Sequence, residues 1–267
     1  METNNLTNEE IKKFKTDGII VPSNPLPDNY VTLLKTALDK LIYDNPDIRP
    51  EKLVSAHIEN GTEGVKGSQI FLDIALDEII LNLISQLIGE DIILWGCQVF
   101  CKHGGDGMIV PWHQDGKYWP IRPLATCTVW IAIDDSTIEN GCLRVIPGSH
   151  SKKKIFQHDQ NKRKDIVLDQ ELDSRTFEES KAKNIELTSG KMSIHDVYLI
   201  HGSCANNSTK RRAGLALRYM PSTSCFDRDI FKDTKSISTY KVDYSQRPIW
   251  LAKGVDRCGM NNFKIGH

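Results

Sequence analysis

The sequence predicts a mainly β protein, a sandwich or closed double sheet carrying helices on one side. Amphipathic helical spacing is confined to roughly the first 90 residues. From Ile92 onward, short β-branched and aromatic runs alternate with glycine and proline. No strand–helix–strand alternation runs through the chain, which argues against a parallel sheet. At 267 residues, one large β-sandwich or barrel accommodates the whole chain.

In chain order, "LTNEEIKKFKTDG" opens on a capping box, Thr7 with Glu10, then places Ile11 and Phe14 on one face and stops at Gly18. Residues 29–45 repeat apolar side chains at 3.6-residue spacing through Val31, Leu34, Ala37, Leu38, Leu41 and Ile42, one face of a helix. A third helix is expected over 73–88. The runs "IILWGCQVFCK", "MIVPWHQD", "CTVWIAIDD", "CLRVIPGSH", "MSIHDVYLIHG" and "AGLALRYM" then have strand character. Between Gly148 and Gly190 lies a charged stretch whose basic clusters, 152–154 and 162–164, are followed closely by acidic residues. That mixture is expected of a solvated, partly mobile insertion, in the place of a lid between strands of a rigid scaffold.

Composition narrows the function classes. A formal net charge of −1 gives no basic surface for nucleic acid or membrane. No apolar run approaches the roughly 18 residues of a membrane span; the segment Ile79–Ile88 is broken by Asn82, Ser85 and Gln86. The N-terminal "METNNLTNEE" is polar and acidic, unlike a signal or transit peptide. The seven cysteines are an odd set without a CxxC, mostly among apolar neighbours, as reduced, packed thiols of a cytoplasmic protein would be. Cys97 and Cys101 are taken as core. The expected partner is a small-molecule substrate.

The chemistry begins at "PWHQDGKYW", residues 111–119. His113 and Asp115 are two apart, and side chains at i and i+2 of a strand share a face. They are either half of a metal site or a hydrogen-bonded pair that fixes the histidine. Downstream candidates are His150, His158, His195 and His201. His150 ends a "PGSH" turn and His158 falls in the charged insertion, so both are expected to be structural or exposed. His195 and His201 share one strand segment, six residues apart, and an unbroken strand would aim both to one face. His201 heads "HGS", and Arg212 follows it by eleven residues. His113, Asp115 and His201 would make two imidazoles and one carboxylate. That facial set leaves open positions and suits Fe(II) that binds a co-substrate and dioxygen. A structural zinc site would want four ligands, usually cysteines.

His113-Gln114-Asp115, the segment "NGCLRVIPGSH" at 140–150, and His201-Gly202-Ser203 with Arg212, in this order, resemble the phytanoyl-CoA dioxygenase family. "LTNEEIKKFKTDGIIV" is similar to the family's opening helix and turn, so the resemblance spans about residues 6–220. It implies a double-stranded β-helix (jelly-roll or cupin-like) with flanking N-terminal helices. It also implies one Fe(II)/2-oxoglutarate oxygenase domain over 1–267, helical to about 90, with a core over about 91–222 and an extension over about 223–267. The resemblance assigns His113, Asp115 and His201 to Fe(II), and Arg212 to the distal carboxylate of the co-substrate 2-oxoglutarate, with Ser203 adding a hydroxyl. Gln98 and Trp130 match positions lining the co-substrate pocket. With Asp115 in place of glycine or alanine, no position is left for chloride, and hydroxylation is favoured over halogenation. The family's upstream lysine has no clear match; the neighbourhood of His57 in "SAHIENG" is nearest. Substrate-facing residues are expected in "GKYWPIR", Lys117, Tyr118, Trp119 and Arg122, joined by His57. This polar, aromatic and cationic set suits a small anionic metabolite. The rival readings are a non-redox Zn or Mn cupin-like enzyme, a binding protein with a relic site, and an acyl-CoA hydroxylase of the same family.

Overall fold

The computed structural model describes residues 5–59, 65–230 and 244–267. Helix α1 (Asn8–Asp17) carries the expected capping box. Thr7 Oγ1 accepts the Glu10 N–H at 3.2 Å, and the Glu10 carboxylate accepts the Thr7 N–H at 2.8 Å. Gly18 ends it at φ 78°, where a Cβ would also stand 2.6 Å from the His150 ring. Strand β1 (Ile19–Ile20) follows, then α2 (Asp28–Asp44), which buries Leu34, Ala37, Leu38 and Leu41, and β2 (Leu53–Val54). The helix expected over 73–88 is two helices, α3 (Gln69–Ala75) and α4 (Glu78–Ile88). The physical reason is Asp77, whose carboxylate accepts the Ile79 N–H at 2.8 Å and starts a new helix.

The β-rich part contains β3 (Ile92–Lys102), β4 (Val110–His113), β5 (Ile121–Arg122), β6 (Cys127–Ala132), β7 (Leu143–Val145), β8 (His158–Gln160) and β9 (Gln170–Leu172). It continues with β10 (Lys183–Ile185), β11 (Met192–Asp196), β12 (His201–Ser203), β13 (Arg212–Pro221), β14 (Cys225–Phe226) and β15 (Trp250–Lys253). A large antiparallel sheet runs β1–β11–β6–β13–β3–β15, with β2 also pairing β3; a smaller one runs β10–β7–β12–β4. These are the two sheets of a double-stranded β-helix, with the helices on the outside of the large one.

Strand periodicity divides the large sheet's side chains into two faces. Its outer face gives Cys97, Val99 and Cys101 of β3, Val129 and Ile131 of β6, and Leu215 and Leu217 of β13. These pack on Leu38, Phe71 and Leu83 of the helices in one buried cluster, so the two cysteines are core, as expected. The alternate positions, facing the other sheet, are Gln98, Lys102, Trp130, Ser193, His195, Arg212 and Arg218. A polar inner face against an apolar outer one locates the site before any ligand is considered.

Two expectations need correction. "MSIHDVYLIHG" is not one strand. The chain leaves β11 at Asp196, whose carboxylate accepts the Tyr198 N–H at 2.8 Å, and re-enters as β12 in the other sheet. His195 therefore pairs with Thr128 in the large sheet and His201 with His113 in the small one. Nor is the 151–189 insertion a solvated loop throughout. The basic clusters are exposed, but His158, Ile166, Val167 and Leu172 are buried. The hairpin β8–β9 is stitched down by Val167 N–H to Ile109 O at 2.8 Å. Gln114 adds three bonds: its amide donates to Lys154 O and Tyr198 O, and its Oε1 accepts the Phe156 N–H.

Candidate metal centre

His113 ends β4, Asp115 opens the turn after it, and His201 begins β12 directly opposite His113. Their candidate ligand atoms lie within 4.8 Å of one another, all on buried side chains. Asp115 Oδ1 is 3.6 Å from His113 Nε2 and 3.9 Å from His201 Nε2. Each ring turns its Nδ1 to the carbonyl two residues upstream, Pro111 O and Leu199 O, both at 2.9 Å. With Nδ1–H donating there, each Nε2 keeps its lone pair for the centre, which is the orientation a metal-ligating histidine needs. Burial holds the His201 imidazole far below its ordinary pKa, assisted by the neighbouring His113. Burial alone would raise the Asp115 pKa, but the surrounding imidazoles of His113, His195 and His201 outweigh it and hold the carboxyl well below its ordinary range. Two neutral imidazoles and one carboxylate fit a divalent ion. His195 stands against the other carboxylate oxygen, Oδ2, at 3.5 Å, beside Thr128 Oγ1 at 3.4 Å. It supports Asp115 from the opposite wall and lies outside the three-residue donor cluster.

The next pocket along the inner face is cationic. Arg212 is buried, and among the described residues it makes no hydrogen bond or ion pair; its Nε is a buried donor without a partner. Its guanidinium lies 5.4 Å from the Trp130 ring, and burial pushes its pKa down to about 10. That ring crosses Gly214, where a Cβ would fall 2.0 Å from Trp130 Cζ2. Adjacent Arg211 faces outward onto Asp134 at 2.8 Å and Asp39 at 2.7 Å. Lys102 was missed in the sequence. The β3–β13 register sets it opposite Arg212, and its Nζ donates to Ser203 Oγ at 2.7 Å and to the Cys204 carbonyl. Burial, then Arg212, pulls its pKa down to about 6. A lysine thus stands at this pocket, at residue 102 and not near His57. The available signal was strand alternation, since Gln98 and Lys102 fall on one face of "IILWGCQVFCK". A buried guanidinium with no partner, next to a lysine and a serine, fits a dicarboxylic acid.

The substrate candidates scatter. Tyr118 packs 6.3 Å from the His113 ring, and its buried hydroxyl has no partner. Trp119 is buried edge-on against Trp95 at 4.5 Å. Lys117 is half-buried on the same turn. Arg122 is exposed, its guanidinium folded onto the carbonyls of Ile121 and Trp119. His57 is buried against Trp250 at 4.9 Å, and its pKa falls to about 3 through burial and the charges of Arg247 and Arg218. Gln98 accepts from Arg218 Nη2 at 3.0 Å and makes no bond to Arg212.

A family model described as phytanoyl-CoA dioxygenase (PhyH) matches residues 14–214. The chain belongs to the phytanoyl-CoA dioxygenase family. A phytanoyl-CoA dioxygenase of Arabidopsis thaliana is 33% identical over 137 residues, 50% of this chain and 46% of that one. A probable alpha-ketoglutarate-dependent hypophosphite dioxygenase of Stutzerimonas stutzeri is 28% identical over 144 residues, 53% of this chain and 50% of that one. The chain thus spans about half the length of these relatives. CytC3, solved with Fe(II) and alpha-ketoglutarate, shares the fold at a TM-score of 0.65 and 22% identity, covering 96% of this chain and 92% of that one. Family membership, the three-residue donor cluster and a buried guanidinium without a partner among the described residues point the same way.

Proposed function

We propose that this protein is an oxygenase that uses Fe(II) and 2-oxoglutarate, hydroxylating a C–H bond of a small, polar, anionic metabolite and releasing succinate and CO2. The reading is carried by Arg212, a buried cation without a partner among the described residues, in a chain that also gathers a three-residue donor cluster. Fe(II) and 2-oxoglutarate, when bound, supply the oxidising chemistry for O2. His113, Asp115 and His201 would hold the ion, their free Nε2 and carboxylate oxygens already converged. Arg212 would pair bidentately with the far carboxylate of the co-substrate, and Lys102 and Ser203 would fix that end. The Trp130 ring lies 5.4 Å from the Arg212 guanidinium and would wall this end of the site. The Asp115 carboxylate takes the place a halide would need, which favours hydroxylation. Near the metal, the unpartnered hydroxyl of Tyr118 and the ring of Trp119 support a polar, compact substrate over a long acyl chain.

Among the described residues no helix is long and apolar enough to cross a membrane. Free, buried thiols at Cys97, Cys101, Cys127 and Cys142 support a reducing compartment, the cytoplasm. Anaerobic addition of 2-oxoglutarate to the Fe(II)-loaded protein should give a weak metal-to-ligand charge-transfer band. A succinate-release screen should then respond to small carboxylates or phosphonates. No band would sink the oxygenase reading; stimulation by long-chain acyl-CoA alone would sink the substrate class.

A further inference from the structure

We propose that Arg218 receives the anionic group of the substrate, an inference that rests on the oxygenase reading above. Arg218 lies six residues beyond Arg212 on the same face of β13, about 20 Å along the strand at roughly 3.3 Å per residue. One arginine thus serves the co-substrate end and the other stands at the far end of the same inner face. The registers align His195, Thr128, Arg218 and Gly96 in one row across four strands. Thr128 touches the metal ligand Asp115, so Arg218 is one strand removed from a side chain in contact with the centre.

The surroundings of Arg218 are those of a cation awaiting a partner. Its guanidinium lies 5.2 Å from the Trp119 ring and 5.7 Å from the Trp95 ring. One nitrogen donates to Gln98 Oε1 at 3.0 Å, while its Nε is buried with no partner. Among the described residues no carboxylate comes within ion-pair distance of it, whereas Arg144, Arg163, Arg175, Arg211 and Arg257 each hold one. A second guanidinium is close. At Gly96 a Cβ would stand 3.5 Å from Arg218 Cδ and 3.6 Å from Arg247 Nη1, which places both arginines against this stretch of β3. Tyr118, packed in the same cluster as Trp95 and Trp119, adds a hydroxyl donor without a partner. Aromatic walls, the Arg218 guanidinium and a phenol form a receptor for a carboxylate, phosphonate or phosphate oxyanion. The apolar stacking would hold the guanidinium in place without consuming its hydrogen-bond donors.

Protein loaded with redox-inert Ni(II) and saturated with 2-oxoglutarate should be titrated calorimetrically with methylphosphonate and with propionate. Wild type is expected to bind at least one of them. Stronger methylphosphonate binding names a tetrahedral oxyanion; stronger propionate binding names a carboxylate. Arg218→Gln should weaken that binding on the order of 30-fold or more, as expected for truncating one partner of a desolvated charge pair. Its affinity for 2-oxoglutarate, read in the same instrument, should change by less than about threefold, because Arg212 is distant. Arg218→Lys, which keeps the charge and loses the fork, should recover part of the affinity and carries the test should the glutamine variant fail to fold. Unchanged probe binding in these variants overturns the proposal, as does wild type that binds 2-oxoglutarate but neither probe. Wild type that does not bind 2-oxoglutarate sinks the underlying oxygenase reading instead.

Discussion

Arg211 and Arg212 are chain neighbours with opposite surroundings, one spread over two carboxylates at the surface, the other buried with none. Arg212→Ala should raise the KM for 2-oxoglutarate by roughly 30-fold or more, from the 2–5 kcal/mol that such truncations cost. Arg211→Ala should leave it nearly unchanged. Steady-state succinate release measures both, and equal effects would reject the register. His57 offers a different measurement. Its pKa is about 3 in the folded chain through burial and the adjacent arginines, against about 6.5 unfolded. The unfolded state therefore binds more protons between those values, and stability, full above pH 6.5, is lost as pH falls toward 3. The slope is at most about 1.4 kcal/mol per pH unit. His57→Phe, which keeps a ring against Trp250, should flatten the pH dependence of the urea midpoint between pH 4 and 6.5. A variant as acid-sensitive as wild type would show that other groups carry that dependence.

At the scale of elements, the break between β11 and β12 decides which histidine joins the candidate donor cluster. His201 lies on the small sheet with His113, whereas His195 leans on Asp115 from the large one. His201→Ala should abolish iron-dependent turnover and release the ion on gel filtration, while His195→Ala should keep most of its metal. The reverse metal contents would overturn the ligand set. This break was hidden in the sequence because "MSIHDVYLIHG" stays apolar across the crossover, and hydrophobicity reports burial without naming the sheet. The strands "IILWGCQVFCK" and "AGLALRYM" were legible because apolar residues recur at alternate positions, Cys97, Val99 and Cys101 in one and Leu215, Leu217 and Tyr219 in the other. Lys102 was not, since its partner Ser203 is 101 residues away on β12 of the other sheet, and only the stacking of the two sheets brings them together. The short motif around His113 and the spacing of His201 to Arg212 are local, and local patterns survive in a single sequence.

For the molecule as a whole, the N-terminal helices, the apolar outer face and the inner polar face follow from two periodicities, 3.6 and 2. The final segment does not. Ile249 and Phe226 join the Trp95–Trp119 cluster, and Arg228 binds the carbonyls of Tyr244, Ser245 and Arg247, contacts without a periodic signature. One residue ties the parts together kinetically. Gln114, between two candidate ligands, gives its side chain to Lys154, Phe156 and Tyr198 and its N–H to His158 Nε2 at 3.0 Å. The segment 154–158 therefore cannot lift without loosening the strand end that carries His113 and Asp115. Opening of that segment and escape of the ion become one event with one clock. Amide exchange at Phe156 and the dissociation of Ni(II) into a chelator should share a rate constant, and Gln114→Leu should hasten both together. Exchange many times faster than metal loss would mean that the segment opens while the centre stays shut.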